Sequence, residues 1–208
     1  MAYKIAILVG SLRDASINRK VARSMCAMRG DHLDCSMIEI GDLPLYNQEY
    51  DGDPPQEYVR FRDEIRQADG VLFVSPEYNR GIPGVLKNAI DVGSRPYGKS
   101  VWNGKPAAII TASPGSIGGF GANHQIRQAC VYLNMPVMQQ PEAYLGNVSD
   151  DSFDEDGCLK EGSLKKLIEK LAHAFHDWVD MIHRSRAALA GTPEQRAKAR
   201  EDRQKEKA

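Results

Sequence analysis

Three short runs constrain this chain more than anything else in it: Ile5–Val9, Val71–Val74 and Ala107–Ile110, each apolar at every position. An amphipathic strand alternates, because one face meets water; a strand without alternation is covered on both faces. Each run is followed by a stretch rich in Gly, Pro, Ser and Asn, and then by a segment with helical spacing. The chain in order predicts a helix over about Ser16 to Met28, a strand over Asp34 to Ile40, and a helix opening near Pro55 and closing at Asp69-Gly70. A helix over about Val85 to Val92 follows the second run, and one over about Asn123 to Leu133 follows the third. A fifth strand is expected near Pro136 to Gln139. From Ser163, Leu164, Leu167, Ile168, Leu171, Phe175, Trp178, Val179 and Ile182 step by three and four, which makes a long amphipathic helix with Phe175 and Trp178 in the core.

Alternating strands and helices with buried strands imply an α/β fold, a doubly wound five-stranded parallel sheet with helices on both faces. Right-handed crossovers favour the flavodoxin-like strand order 2-1-3-4-5, in which ligands bind beyond the carboxyl ends of the strands near the switch point. That topology brings three loops side by side: Gly10 to Asn18, Ser75 to Gly84, and Ala112 to Gly121.

The first loop has its own chemistry. Ser16 alone reads as an N-cap. Arg13 within the turn and a second hydroxyl at Ser11, placed before a helix N-terminus, point further, to a bound phosphate. The dinucleotide fingerprint G-x-G-x-x-G is excluded, since Leu12 and Ala15 stand where its second and third glycines belong, and the P-loop Gly-Lys-Ser/Thr is missing. The other two loops offer stiff backbone with free N–H groups, which suits a planar heterocycle bound at its edge.

Composition sets the outer limits. With 208 residues, 42% hydrophobic and 26% charged, one domain is expected over residues 1–190, with a charged, flexible tail over 191–208. A net charge of -1 supplies no general field for nucleic acid or an anionic membrane. No apolar run nears the roughly 18 residues of a spanning helix. Met1-Ala2-Tyr3-Lys4 leads straight into the first strand, leaving no room for a signal peptide. Cys26, Cys35, Cys130 and Cys158 form no C-x-x-C and no zinc-like spacing with the five His, so they read as reduced cytoplasmic thiols. His173 and His176, three apart on the last helix, lack an evident third metal ligand and read as a solvated face.

Gly10-Ser11-Leu12-Arg13-x-x-Ser16-x-Asn18, then Ser75-Pro76-Glu77-Tyr78-Asn79 with Ile82-Pro83-Gly84-x-Leu86-Lys87-Asn88-Ala89-Ile90-Asp91, then Gly118-Gly119 with Arg127-Gln128, resemble the NAD(P)H-dependent FMN reductase family. That family includes quinone-, chromate- and azo-compound-reducing members, and the resemblance runs from about Tyr3 to Leu145. It implies bound FMN with NADPH or NADH as donor, and a ping-pong cycle passing electrons to quinones, flavins, azo compounds or metal oxyanions. Residue by residue it implies that Ser11, Arg13, Ser16 and Asn18 bind the FMN phosphate, and that Pro76, Glu77, Tyr78 and Asn79 line the ring. Ser113 and Gly115 then approach the pyrimidine end. Tyr78 and Asn79 shape the substrate face, with Arg80 a contact for the phosphate of the nicotinamide cofactor. No side chain is expected to be an essential acid or base. Glu77 reads as an acceptor of backbone or intersubunit hydrogen bonds, Tyr78 equally as packing or platform, and Arg127 as helix surface or an intersubunit ion pair. The resemblance also implies a homodimer or homotetramer. The segment Pro96 to Trp102 and the charged tail depart from the family pattern. The alternative reading is a flavodoxin-like electron carrier that docks a protein partner, against which the charge of -1 speaks. A phosphate binder that uses only the first loop leaves the other two unexplained.

Overall fold

The computed structural model describes residues 2–28 and 30–190. Its elements are β1 (Tyr3–Val9), α1 (Ile17–Ala27), β2 (Leu33–Met37), α2 (Gln56–Gln67), β3 (Gly70–Ser75), α3 (Gly84–Gly93), β4 (Ala107–Ala112), α4 (Phe120–Tyr132), β5 (Ala143–Leu145) and α5 (Ser163–Ala190). The strands form one sheet in the order β2-β1-β3-β4-β5, all neighbours parallel. This is the doubly wound flavodoxin-like arrangement expected from the unbroken apolar runs.

The alternation of side chains along buried strands divides the interior in two. On one face Ile5, Ile7, Val9, Leu72, Val74, Ala108 and Ile110 meet α1 and α5 through Val21, Met25, Leu171 and Phe175. On the other, Ala6, Leu8, Val71, Phe73 and Ile109 meet Phe61, Ile65, Leu86, Ile90 and Ile126 of α2, α3 and α4. Trp102, from the atypical segment after α3, belongs to this second core. It is fully buried, lies against the rings of Phe61 and Phe73, and donates Nε1–H to the Ile90 carbonyl at 2.9 Å. Gly93 makes the room, since a Cβ there would stand 2.5 Å from the indole.

Three expectations are corrected. The segment near Pro136 to Gln139 makes only an isolated bridge, Val137 to Ala107, and the fifth strand comes later. Pro136 and Pro141 carry no N–H, so the ladder cannot run continuously through this region. Trp178 is half-buried rather than in the core, its Nε1–H spent on the Pro136 carbonyl at 2.9 Å, while Phe175 is fully buried as expected. The thiols are not all reduced: Cys26, in the last turn of α1, is disulfide-bonded to Cys35 in β2, with Cα atoms 6.2 Å apart. The turn back from α1 to the edge strand beside β1 makes this pair. Cys130 and Cys158 are free. The expectation of a flexible tail over 191–208 lies outside the described residues. Among the described residues, no helix is long and apolar enough to cross a membrane.

Candidate active site

Strands β1, β3 and β4 are adjacent and parallel, so the loops leaving their carboxyl ends share one rim of the sheet. Hydrogen bonds join these loops directly. The Gly10 N–H donates to the Val74 carbonyl at 2.9 Å, and the chain passes so close to β3 that a Cβ on Gly10 would stand 2.5 Å from Ser75 Oγ. Asn18, on the first turn of α1, donates its Nδ2–H to the Ala112 carbonyl at 3.3 Å, which joins the first loop to the third. Glu77 Oε2 accepts the Ala122 N–H at 2.9 Å, which joins the second loop to the start of α4. Loop three is held from its outer side, where Ser113 donates its N–H to Leu145 and accepts that of Val148.

In the first loop, Ser11, Ser16 and Asn18 are buried while Arg13 is exposed. Ser16 is the N-cap of α1, its Oγ accepting from the Arg19 N–H at 3.2 Å. The earlier amides of the turn have no preceding helical carbonyls, and the helix dipole favours an anion there. Among the described residues, Asn18 Oδ1 is buried and meets no hydrogen-bond donor. A buried orphan acceptor costs free energy unless something supplies a donor, and the hydroxyl-bearing tail of a phosphate ester would do so.

The second loop turns over tightly. Tyr78 and Gly81 exchange both backbone hydrogen bonds, with Asn79 and Arg80 between them at φ 52° and 66°. Two successive positive φ values are the signature of a type I′ turn, which Asn tolerates and Arg does not favour. Pro76 and Glu77 are half-buried at its base; Tyr78, Asn79 and Arg80 stand exposed at its tip. The trailing motif has structural roles: Leu86, Ala89 and Ile90 are core, and Asn88 donates to the carbonyls of Leu43 and Pro44 and accepts from the Tyr46 N–H. In the third loop Ser113 is half-buried, its Oγ accepting the Gly115 N–H at 3.1 Å, and Gly115 is exposed. Gly118 and Gly119 both have positive φ, and a Cβ on Gly118 would stand 2.5 Å from the Tyr144 carbonyl carbon. The residues expected at the site therefore lie on one rim, with Ser11, Ser16 and Asn18 buried and Tyr78, Asn79 and Arg80 facing outward.

Sequence reasoning left Arg127 open between two readings. It is half-buried and bonded within the chain, Nε–H to Asn123 Oδ1 at 2.9 Å and Nη1–H to the Met138 carbonyl at 3.1 Å. It missed an aromatic cluster beside loop three, Phe120, His124 and Tyr144, in which the Tyr144 hydroxyl donates to Glu142 at 2.7 Å. Burial first, and then that carboxylate, raise the Tyr144 pKa above its ordinary value. The one available signal was Phe120 and His124 at helical spacing after two glycines.

Known proteins resemble this chain in sequence and fold. The family described as NADPH-dependent FMN reductase matches residues 3–150. A quinone reductase of Pseudomonas putida is 53% identical over 180 residues, covering 86% of this chain and 96% of that protein. A 2-hydroxy-1,4-benzoquinone reductase of a Burkholderia species is 42% identical, covering 86% and 97%. The solved structure of the flavoenzyme NAD(P)H:(acceptor) oxidoreductase of Paracoccus denitrificans superposes with a TM-score of 0.83 at 37% identity, over 86% of this chain and 98% of that one. The chain belongs to the NADPH-dependent FMN reductase family and is an NAD(P)H-dependent enzyme with FMN as its cofactor.

Proposed function

We propose that this chain reduces quinones with NADPH or NADH, using FMN held across the three-loop rim. The observation that carries this reading is Asn18, which ties the first loop to the third through Nδ2 and keeps Oδ1 buried and free for a ligand donor. Ser11, Arg13, Ser16 and Asn18 would hold the phosphate, combining hydroxyls, a guanidinium and a helix N-terminus. Pro76, Glu77, Tyr78 and Asn79 would flank the ring, and Ser113 with Gly115 would stand at its pyrimidine end. When bound, FMN supplies two-electron hydride chemistry that side chains cannot. The protein's part is to orient, to supply N–H donors where negative charge develops, and to leave an open platform at Tyr78 and Asn79 for a flat acceptor. Arg80, exposed at the hairpin tip, suits the phosphate of a nicotinamide cofactor.

An open platform does not select one acceptor, so free flavins, azo compounds and metal oxyanions belong to the same proposal, with donor and acceptor using the site in turn. The names of the quinone-reducing relatives support quinones as the first class to test. We also propose one domain over residues 1–190, a cytoplasmic setting and a homodimer or homotetramer, the last read by light scattering. The test is initial-rate kinetics with NADPH or NADH against a benzoquinone at several fixed concentrations. Parallel double-reciprocal lines support alternate use of one site; intersecting lines, or no NAD(P)H oxidation after FMN is added, contradict it.

A further inference from the structure

The geometry points to Glu77 as a positioning residue whose carboxylate caps α4 and fixes the second and third loops against each other. This deepens the FMN reading above and rests on it. Helix α4 begins after Gly119, which sits at φ 77° and offers no side chain to accept the free amides of the first turn. The acceptor comes from 45 residues away: Glu77 Oε2 takes the Ala122 N–H at 2.9 Å. The Glu77 side chain is only 10% exposed, and its second oxygen faces Arg80 Nη1 at 3.4 Å. A carboxylate at a helix N-terminus gains from the helix dipole as well as from the hydrogen bond.

The surroundings are shaped to admit it. A Cβ on Gly121 would stand 2.8 Å from Glu77 Oε2 and 2.6 Å from the Arg80 carbonyl oxygen. A Cβ on Gly119 would come within 2.9 Å of Thr111 Cβ and 3.6 Å of Glu77 Cβ. Two glycines thus let the start of α4 approach the base of the Tyr78–Gly81 hairpin, and the carboxylate closes the contact. One oxygen serves the helix and the other faces a guanidinium, so Glu77 is no general base. Its effect reaches the ring through its neighbours: Pro76 and Tyr78 on one side, Gly118 and Gly119 on the other, are held together by this carboxylate at the start of α4, with Gln125 one turn further on accepting the Ile82 N–H at 3.0 Å.

The test compares wild type, Glu77→Ala and Glu77→Gln by three readouts: amide hydrogen exchange across residues 118–125, the FMN dissociation constant from flavin fluorescence, and the visible circular dichroism of the bound flavin. Loss of a charge-assisted hydrogen bond leads to exchange of the Ala122 amide faster by roughly tenfold or more in Glu77→Ala, without FMN. With FMN, weaker binding by a similar factor and an altered dichroism band are expected. Glu77→Gln, which keeps an oxygen acceptor but loses the charge, is expected to fall between the wild type and Glu77→Ala in both. Unchanged Ala122 exchange in Glu77→Ala overturns the cap. Faster exchange with unaltered FMN affinity and dichroism overturns the positioning role, as does a Glu77→Gln variant as impaired as Glu77→Ala. Failure of the wild type to take up FMN defeats the functional reading and the positioning role together, and the exchange measurement alone then decides the cap.

Discussion

Gly10→Ala tests how closely the first two loops are pressed together. Gly10 has no positive φ to lose, so alanine is acceptable to the backbone and the cost is steric. The new methyl would stand 2.5 Å from Ser75 Oγ and 3.2 Å from both Ser75 Cβ and Leu86 Cδ2. Ser75 is fully buried and its hydroxyl donates to the Pro76 carbonyl at 2.8 Å, so Oγ can yield only by breaking that bond. Overpacking of this kind costs about 1–3 kcal/mol, and the lost hydrogen bond adds about 1 kcal/mol. Restricting the unfolded chain returns about 0.4–1 kcal/mol. The net expectation is a destabilisation of roughly 1–3 kcal/mol, or about 3–10 °C in Tm at this chain length. Urea and thermal unfolding measure it, and Ser75→Ala makes the control. Removing Oγ takes away the 2.5 Å contact, so the double variant is expected to lose about 1–2 kcal/mol less than the sum of the two single variants. Gly10→Ala as stable as wild type, or strictly additive losses, would refute the close approach.

Two further outcomes concern the cysteines. Reducing the Cys26–Cys35 bond frees a loop with a sequence separation of 9. The chain-entropy argument then gives a loss of about 2–3 kcal/mol: dithiothreitol should lower the wild-type Tm by roughly 5–10 °C and leave Cys26→Ser unmoved, and a wild-type Tm indifferent to reductant would contradict the bond. Burial pushes the Cys130 thiol from its ordinary 9.0 up to about 12, with Arg127 opposing weakly. The unfolded chain therefore ionises first, and the stability this group contributes is complete below pH 9 and lost as pH rises toward 12. Relative to Cys130→Ala, the wild type should lose about 1.4 kcal/mol per pH unit above pH 9, and parallel stability curves over pH 8–10 would contradict the burial.

The sequence disclosed what depends on local pattern. Ile5–Val9, Val71–Val74 and Ala107–Ile110 announce buried strands because no residue in them has a water-facing alternative. Ser16 announces a helix start because its hydroxyl acts within three residues. What stayed hidden depends on contacts between distant segments. Trp102 shares a segment of Gly, Lys, Ser and Pro with a second aromatic, Tyr97, which is exposed, and only the hollow at Gly93 shows which of the two is core. Cys26 and Cys35 meet because α1 turns back to β2, which no Cys spacing encodes. β5 was misplaced because Ala143-Tyr144-Leu145 is too short to show a period, whereas the apolar residues around Val137 look more strand-like. At the rim, Ser11, Ser16 and Asn18 were legible from the letters. The partner of Glu77 was not, since it lies at the start of another helix.

The three loops are proposed to grip FMN by its phosphate and its ring together. Fluorescence titration of the apoprotein with FMN and with riboflavin separates the two contributions, because the ligands differ only in the phosphate. Quenching at one FMN per chain, with riboflavin bound at least roughly a hundredfold more weakly, is the expected result, since two or more charge-assisted contacts are removed. Equal affinity for the two ligands, or no quenching with either, would contradict it.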